Sequence, residues 1–319
     1  KIACTGTPVE NSLTDLWCLF DFIQAGLLGS LRQFGKAYRR PIERSEGNSE
    51  AVLQQLKQLI EPQILRRMKS DVADLPAKIE VNNCKTLPIS NLQQQLYANV
   101  VDDYRKADDA DRGRAILGAL HKMRMICAHP LQVQPSASER ESPKVAWLIS
   151  TLEHIQAKQE KVIVFTEFRE IQAFLQRIIG QRFGLSVSTV NGDTSANSSK
   201  GGMTRQRLID QFQEKSGFNV IILSTTAVGF GVNVQKANHV IHYTRCWNPA
   251  KEDQATDRAY RIGQDKEVFV YYPSIYSAQF DTFEVKLDHL LADKRKLADD
   301  MLATRTDVSA QELASVIFQ

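Results

Sequence analysis

The chain contains no apolar run approaching the roughly 20 residues that cross a membrane, and no secretory signal pattern. An intracellular, soluble protein with no membrane partner is therefore expected. Cysteine is scarce: Cys4, Cys18, Cys84, Cys127 and Cys246 are odd in number, scattered and set mostly in apolar surroundings, which argues against a disulfide framework and fits reduced, buried thiols. Metal-ligand spacing is missing as well. His239 and His242 come closest, but three apart on a strand they face opposite sides, so packing is expected and no metal. Charge of one sign is also lacking, because 40 Lys and Arg against 37 Asp and Glu leave only +3. Global charge thus says nothing for or against nucleic acid, and only a local basic surface could. What remains is a chain of 319 residues with 43% apolar content, enough for a substantial core in one large or two ordinary domains.

The two halves differ in pattern. From about 144 onward, short apolar runs at 162–165, 185–190, 219–223, 239–243 and 267–272 alternate with helical patterns at 169–182, 204–214 and 249–262. The runs are β-branched and nearly continuous in apolar character, as strands buried on both faces should be, so a doubly wound parallel sheet is predicted. Residues 12–132 show helical periodicity and almost no strand signal. There Leu13, Leu16, Trp17, Phe20 and Ile23 form one apolar stripe, and Ile116, Leu120, Met123 and Cys127 form another. Between the halves, 134–143 reads as a linker rich in Ser, Pro and charge, and 194–204 reads as a loop.

Residues 254–264, QATDRAYRIGQ, are the most informative stretch. Asn248 as N-cap, Pro249 at the first helical position and Gly263 as the stop predict one helix over 249–262. On that helix Gln254, Arg258 and Arg261 fall at i, i+4 and i+7 and share a face that can hold an anion. Arginine near a helix C-terminus also complements the macrodipole, so the pattern alone leaves an ordinary solvated face open.

The motifs taken in order resemble a known family. TGTPVENSLTDLW (5–17), LRRMKSDVADLPAK (65–78), MRMICAHP (123–130), KVIVFTEF (161–168), ILSTTAVGFGVNV (222–234), CWNP (246–249) and QATDRAYRIGQ (254–264) are similar to those of the SWI/SNF-type ATPases of helicase superfamily two. The resemblance implies a RecA-like second lobe at 144–275, preceded by a mainly helical protrusion at 12–133 and followed by a helical segment at 276–319. Residues 1–11 look like a remnant of the first lobe. No glycine-rich loop ending in Gly-Lys-Thr/Ser and no acidic box is present, and SKGGMT (199–204) has Lys200 ahead of its glycines with no strand directly feeding it. A C-terminal fragment of a motor is expected, with ATP and Mg bound mainly by a first lobe outside it and no ATP turnover of its own.

By resemblance, Arg258 and Arg261 are arginine fingers and Gln254 their polar partner. Gly229, Gly231 and Asn233 approach the nucleotide. Thr166, Asn191, Gly192, Ser224, Thr225 and Trp247 meet the backbone of double-stranded DNA without reading sequence, and Thr5, Gly6 and Thr7 couple the two lobes. Thr226 and Val228 depart from the commoner Arg and Gly, and Tyr260 stands where many relatives have His. The partners implied are duplex DNA, the first lobe and a protein on the DNA, and a bacterial source would place the protein at the nucleoid. A strand-separating helicase of the same superfamily and a non-catalytic docking scaffold remain the alternatives.

Overall fold

Helical stripes and buried strands each need a surface to pack against, and the chain supplies both in two compact units. The computed structural model describes residues 1–5, 8–9, 12–43, 48–65, 74–106, 112–138, 141–194, 204–227, 232–297 and 308–318. One unit comprises Lys1–Val72, Asn248–Ala250 and Leu290–Val308, and the other Ala73–Trp247, Lys251–His289 and Ser309–Gln319.

In the first unit, helix α1 (Leu13–Ile23) starts at Ser12, whose hydroxyl caps the first turn while Asp15 bonds back to the Ser12 amide. Its predicted stripe is buried through Leu13, Leu16 and Phe20, against Phe34 of the helical stretch 31–43 and Leu56 and Ile60 of α2 (Ser49–Ile60). Trp17 is half-buried and donates its indole N–H to the Gly29 carbonyl at 3.0 Å.

The second unit holds six strands in one sheet, ordered β1 (Lys78–Val81), β7 (Val268–Tyr271), β6 (His239–His242), β3 (Lys161–Phe165), β5 (Asn219–Leu223) and β4 (Ser188–Val190). Every pairing is parallel. Helices α3 (Asn91–Lys106) and α4 (Arg112–Ala128) precede α5 (Pro143–Ala157), α6 (Arg169–Phe183) and α7 (Arg205–Glu214). Because side chains alternate along a strand, Val162 and Val164 join one core with α5 and α6, while Ile163 and Phe165 join a second core with α7. The sheet is therefore wound on both faces, as predicted. Each of these β3 side chains is fully buried, which contributes roughly 1.5–3 kcal/mol apiece.

Four expectations need correction. Residues 12–132 are not free of strands: β1 adds the edge of the main sheet through Lys78↔Val268, and β2 (Leu87–Pro88) pairs with β8 (Ile275–Tyr276). Four- and two-residue strands carry too little periodicity to register, and pairing with distant segments defines them. The stretch 134–143 lies within the second unit, with Ser142 buried and capping α5. Cys84 and Cys127 are buried, but Cys4 and Cys18 are exposed. Finally, helix α8 is only Pro249–Thr256. Thr256 Oγ1 bonds His242 Nε2 at 2.8 Å and the Glu252 carbonyl at 3.2 Å, and Val234 N–H takes the Arg258 carbonyl at 3.0 Å. The last of these bonds takes a carbonyl that a longer helix would use, and tight turns carry the chain to Gly263 at φ +97°. The closing helical segment begins with α9 (Phe283–Leu297), and α10 is Ala310–Ile317.

At the amino edge of the sheet, His239 stacks on Phe269 and bonds Tyr271 through Nδ1 at 3.0 Å and Glu160 through Nε2 at 2.7 Å. On the opposite face His242 stacks on Phe165 and Tyr272, so both histidines pack as expected. Burial alone would raise the Glu160 carboxyl, but hydrogen bonds with His239, Asn238 and Lys266 outweigh it and hold it at about 2. Burial pushes the His239 imidazole below its ordinary value, with Glu160 opposing. Both folded values lie below the unfolded ones, so the unfolded chain binds more protons on acidification. Stability should thus decline as pH falls below the ordinary imidazole range, and further from about 4.5 towards 2. Glu160→Gln should cost on the order of 1 kcal/mol at neutral pH after screening, and the difference from the parent should vanish towards pH 2, read from urea midpoints across pH.

Candidate functional site

Parallel strands deliver their following loops to one edge, and Thr166, Asn191, Ser224 and Thr225 of the predicted site residues collect there. Thr166 directly follows β3, and its amide continues the ladder to the Leu223 carbonyl at 3.1 Å. Ser224 directly follows β5 and reaches the Val190 carbonyl at 2.9 Å. Thr166 is buried and accepts from the Thr244 hydroxyl at 3.0 Å, beyond β6. Its carbonyl takes a hydrogen bond from buried Gln172 at 2.7 Å, and Gln172 in turn accepts from Asn191 at 2.8 Å. Thr166, Asn191, Ser224 and Thr225 therefore form one connected polar row. Gly192 adjoins it, with a Cβ built there lying 3.9 Å from the Arg169 guanidinium.

Glu167 completes this row and was not singled out in the sequence. Its carboxylate accepts from Ser224 Oγ at 2.7 Å, the Thr225 amide at 2.6 Å, the Thr225 hydroxyl, and Thr226 Oγ1 at 3.2 Å. A carboxylate directly after a buried parallel strand was the available signal, inside KVIVFTEF. Arg205, on α7, ties the loops together by donating to the Thr194 carbonyl at 2.8 Å and the Ala227 carbonyl at 3.3 Å.

The second cluster is built on the turn after α8. Arg261 Nη1 donates to Asn233 Oδ1 at 2.6 Å, bringing a predicted finger onto a predicted nucleotide-side residue. Arg258 lies near Arg261: burial and then the Arg261 charge lower its guanidinium, against Asp257. Gln254 is half-buried in the last turn of α8, so the three residues do not share one helical face. What fixes the turn is Gln264, whose Nε2 reaches the carbonyls of Gln235 (2.9 Å), Ala237 (3.0 Å) and Ala259 (3.2 Å), with Gln235 donating to Ile262 O at 2.8 Å. A guanidinium held on a side-chain amide, with a second guanidinium near it, fits a polyanion such as a nucleotide phosphate tail.

Trp247 is half-buried against Phe283, ring centroids 6.2 Å apart, and its buried indole N–H finds no partner among the described residues. Ahead of it, buried Arg245 forms a two-point pair with Glu252 of α8 at 2.8 and 3.0 Å and a further pair with Asp288. Thr5 is exposed in the first unit. Gly6, Thr7, Gly229 and Gly231 lie outside the described residues, as do 66–73 and 195–203.

Residues 1–132 match the family model of the SNF2-related domain, and residues 143–263 match that of the helicase conserved C-terminal domain. The chain is similar to Zorya protein ZorD of Escherichia coli, 54% identical with 99% of this chain and 30% of that protein covered. It is also similar to the putative ATP-dependent helicase/translocase YwqA of Bacillus subtilis, 38% identical over 98% of this chain and 34% of that protein. The chain spans about a third of the length of these curated relatives. Among solved structures, the Sulfolobus solfataricus SWI2/SNF2 ATPase core in complex with dsDNA has a TM-score of 0.58 at 33% identity, covering 98% of this chain and 65% of that one.

The turn's dependence on Gln264 can be measured. Gln264→Ala would remove both amide hydrogens shared among these carbonyls in a site only 6% exposed, and should lower unfolding free energy by roughly 2–4 kcal/mol in urea titrations.

Proposed function

Because the chain belongs to the SWI/SNF-type helicase-like ATPases, we propose that it carries the second RecA-like lobe of an ATP-dependent double-stranded DNA translocase that remodels protein–DNA complexes. The lobe in this reading is residues 144–275, joined at its edge by β1. The observation that carries the proposal is Arg261 held on Asn233 with Arg258 near it, on a turn that Gln264 ties to the Gln235 and Ala237 carbonyls. ATP supplies the phosphoryl group, and it and its Mg are held mainly by residues outside this chain, which has no glycine-rich Gly-Lys-Thr/Ser loop.

Within this chain, Arg258 and Arg261 act as fingers that meet the charge developing on the transferring phosphate. Asn233 holds the Arg261 fork in its aim, and Gln254 contributes a polar group from the end of α8. A lysine would supply one ammonium in place of a rigid fork, so the site needs Arg. Gly229 and Gly231 serve the nucleotide, where a residue without a side chain permits close backbone approach. Thr166, Asn191, Gly192, Ser224 and Thr225 serve the DNA backbone at the carboxyl edge, with Trp247 stacking beside the strand. Thr5, Gly6 and Thr7 couple the lobes. A docking scaffold has no chemical need for two clustered arginines, which weighs against that alternative.

In the longer protein, Arg258→Ala or Arg261→Ala should cut DNA-stimulated ATP turnover by roughly 10³-fold while ATP affinity changes far less. Arg→Lys should rescue poorly, and residues 1–319 alone should release phosphate negligibly in the same assay. Near-normal turnover in both alanine variants would make the turn purely structural. Duplexes of unrelated sequence should bind residues 1–319 weakly and alike, with affinity falling steeply as salt rises. Titration by fluorescence anisotropy at several salt concentrations reads this, and strong base preference would reject the backbone assignment.

A further inference from the structure

Each hydroxyl of Ser224 and Thr225 has one hydrogen to give, and so does the Thr225 amide. In the structure the Thr225 amide and hydroxyl are given to Glu167, and Ser224 Oγ reaches the same carboxylate at 2.7 Å while sharing a 2.7 Å bond with Thr226 Oγ1, so the Ser224–Thr226 pair has one hydrogen for Glu167. A carboxylate and a phosphate are anions that ask for the same donors, so this cradle cannot serve both. The reading of Ser224 and Thr225 as phosphate contacts therefore meets a competitor built into the chain.

A displaced carboxylate needs somewhere to go, and Arg124 stands on the same side. Its guanidinium lies over the Phe168 ring, 4.7 Å from the centroid, one residue on from Glu167. One Nη donates to the Arg245 carbonyl at 2.6 Å, while its buried Nε has no partner among the described residues. Burial lowers the Arg124 guanidinium, with Cys246 and then Glu167 opposing. Among the described residues, Arg124 thus combines contact with Phe168, the residue after Glu167, with an unfilled donor.

We propose that Glu167 is an intramolecular anion occupying the Ser224–Thr225 cradle, and that a DNA phosphate binds there only by displacing it towards Arg124. The proposal rests on the DNA-groove reading above. It makes Glu167 a residue that sets duplex affinity by competition, since every phosphate contact at this point must first break charge-assisted bonds. Hold on DNA is weakened at rest, and engagement is tied to movement of the segment that follows β3. No covalent step is involved.

The test is duplex binding by residues 1–319 and their Glu167→Gln variant, measured by fluorescence anisotropy at fixed salt. Glu167→Gln keeps the shape and removes the charge, and should tighten binding roughly 3- to 30-fold, the margin between charged and neutral hydrogen bonds. With both hydroxyls removed, as Ser224→Ala with Thr225→Val, the same change should gain less than about twofold. A gain that survives there would be general charge repulsion and would overturn the cradle. Arg124→Met should weaken the parent but not the Glu167→Gln variant; equal loss in both would show that Arg124 meets DNA directly and would overturn its part as acceptor. If parent and Glu167→Gln bind duplex equally, the competition fails while the groove stands. If no variant binds duplex at any salt, the groove reading itself fails and takes the competition with it.

Discussion

Parallel pairing of β3 with β5 on one side and β6 on the other is the constraint from which the rest of the second unit follows. Parallel strands all leave the sheet at the same edge, so Thr166, Ser224 and Thr244 must emerge together, and a polar group from each becomes a neighbour of the others. The strands themselves are sealed by apolar cores on both faces. Polar chemistry is thereby driven to the edge, because a hydroxyl or carboxylate set deeper in the sheet would have to find partners without water.

Where charge does enter the interior it is paired. Arg245 is buried, and burial alone would lower its guanidinium, but Glu252 and Asp288 outweigh that. Lys144, equally buried, pairs with Glu284. Such pairs add little net stability over apolar packing, yet removing one partner leaves a buried charge uncompensated, which costs roughly 3–5 kcal/mol. Their value is geometric. Arg245 binds the first turns of α8 to the end of β6, and so fixes where the arginine-bearing turn begins.

That turn and the cradle share an arrangement in which a neutral or anionic side chain holds a charged or donor group in place. Asn233 aims Arg261, and Glu167 aims the Ser224 and Thr225 donors. Preorganisation of this kind lowers the reorganisation needed at the moment of engagement. At the cradle it also carries a penalty, since the aiming group is itself an anion.

Much of this was legible in the chain as written. Buried parallel strands need continuous β-branched runs, and 162–165 and 219–223 announced themselves by that composition, as the stripe at Leu13, Leu16 and Phe20 announced α1. The residue types that the proposed chemistry would use also stand in the chain as written: the paired arginines, and the Ser-Thr step after an apolar strand. Tertiary contacts decided the remainder. β1 exists because β7 offers it an edge, the chain beyond α8 turns where Val234 claims the Arg258 carbonyl that a longer helix would use, and Glu167 meets Ser224 because β3 and β5 are neighbours. Local periodicity reports which face of an element is apolar. It carries no record of which distant donor will satisfy a given carbonyl or carboxylate, and in this chain those distant pairings set the ends of elements and the geometry of the site.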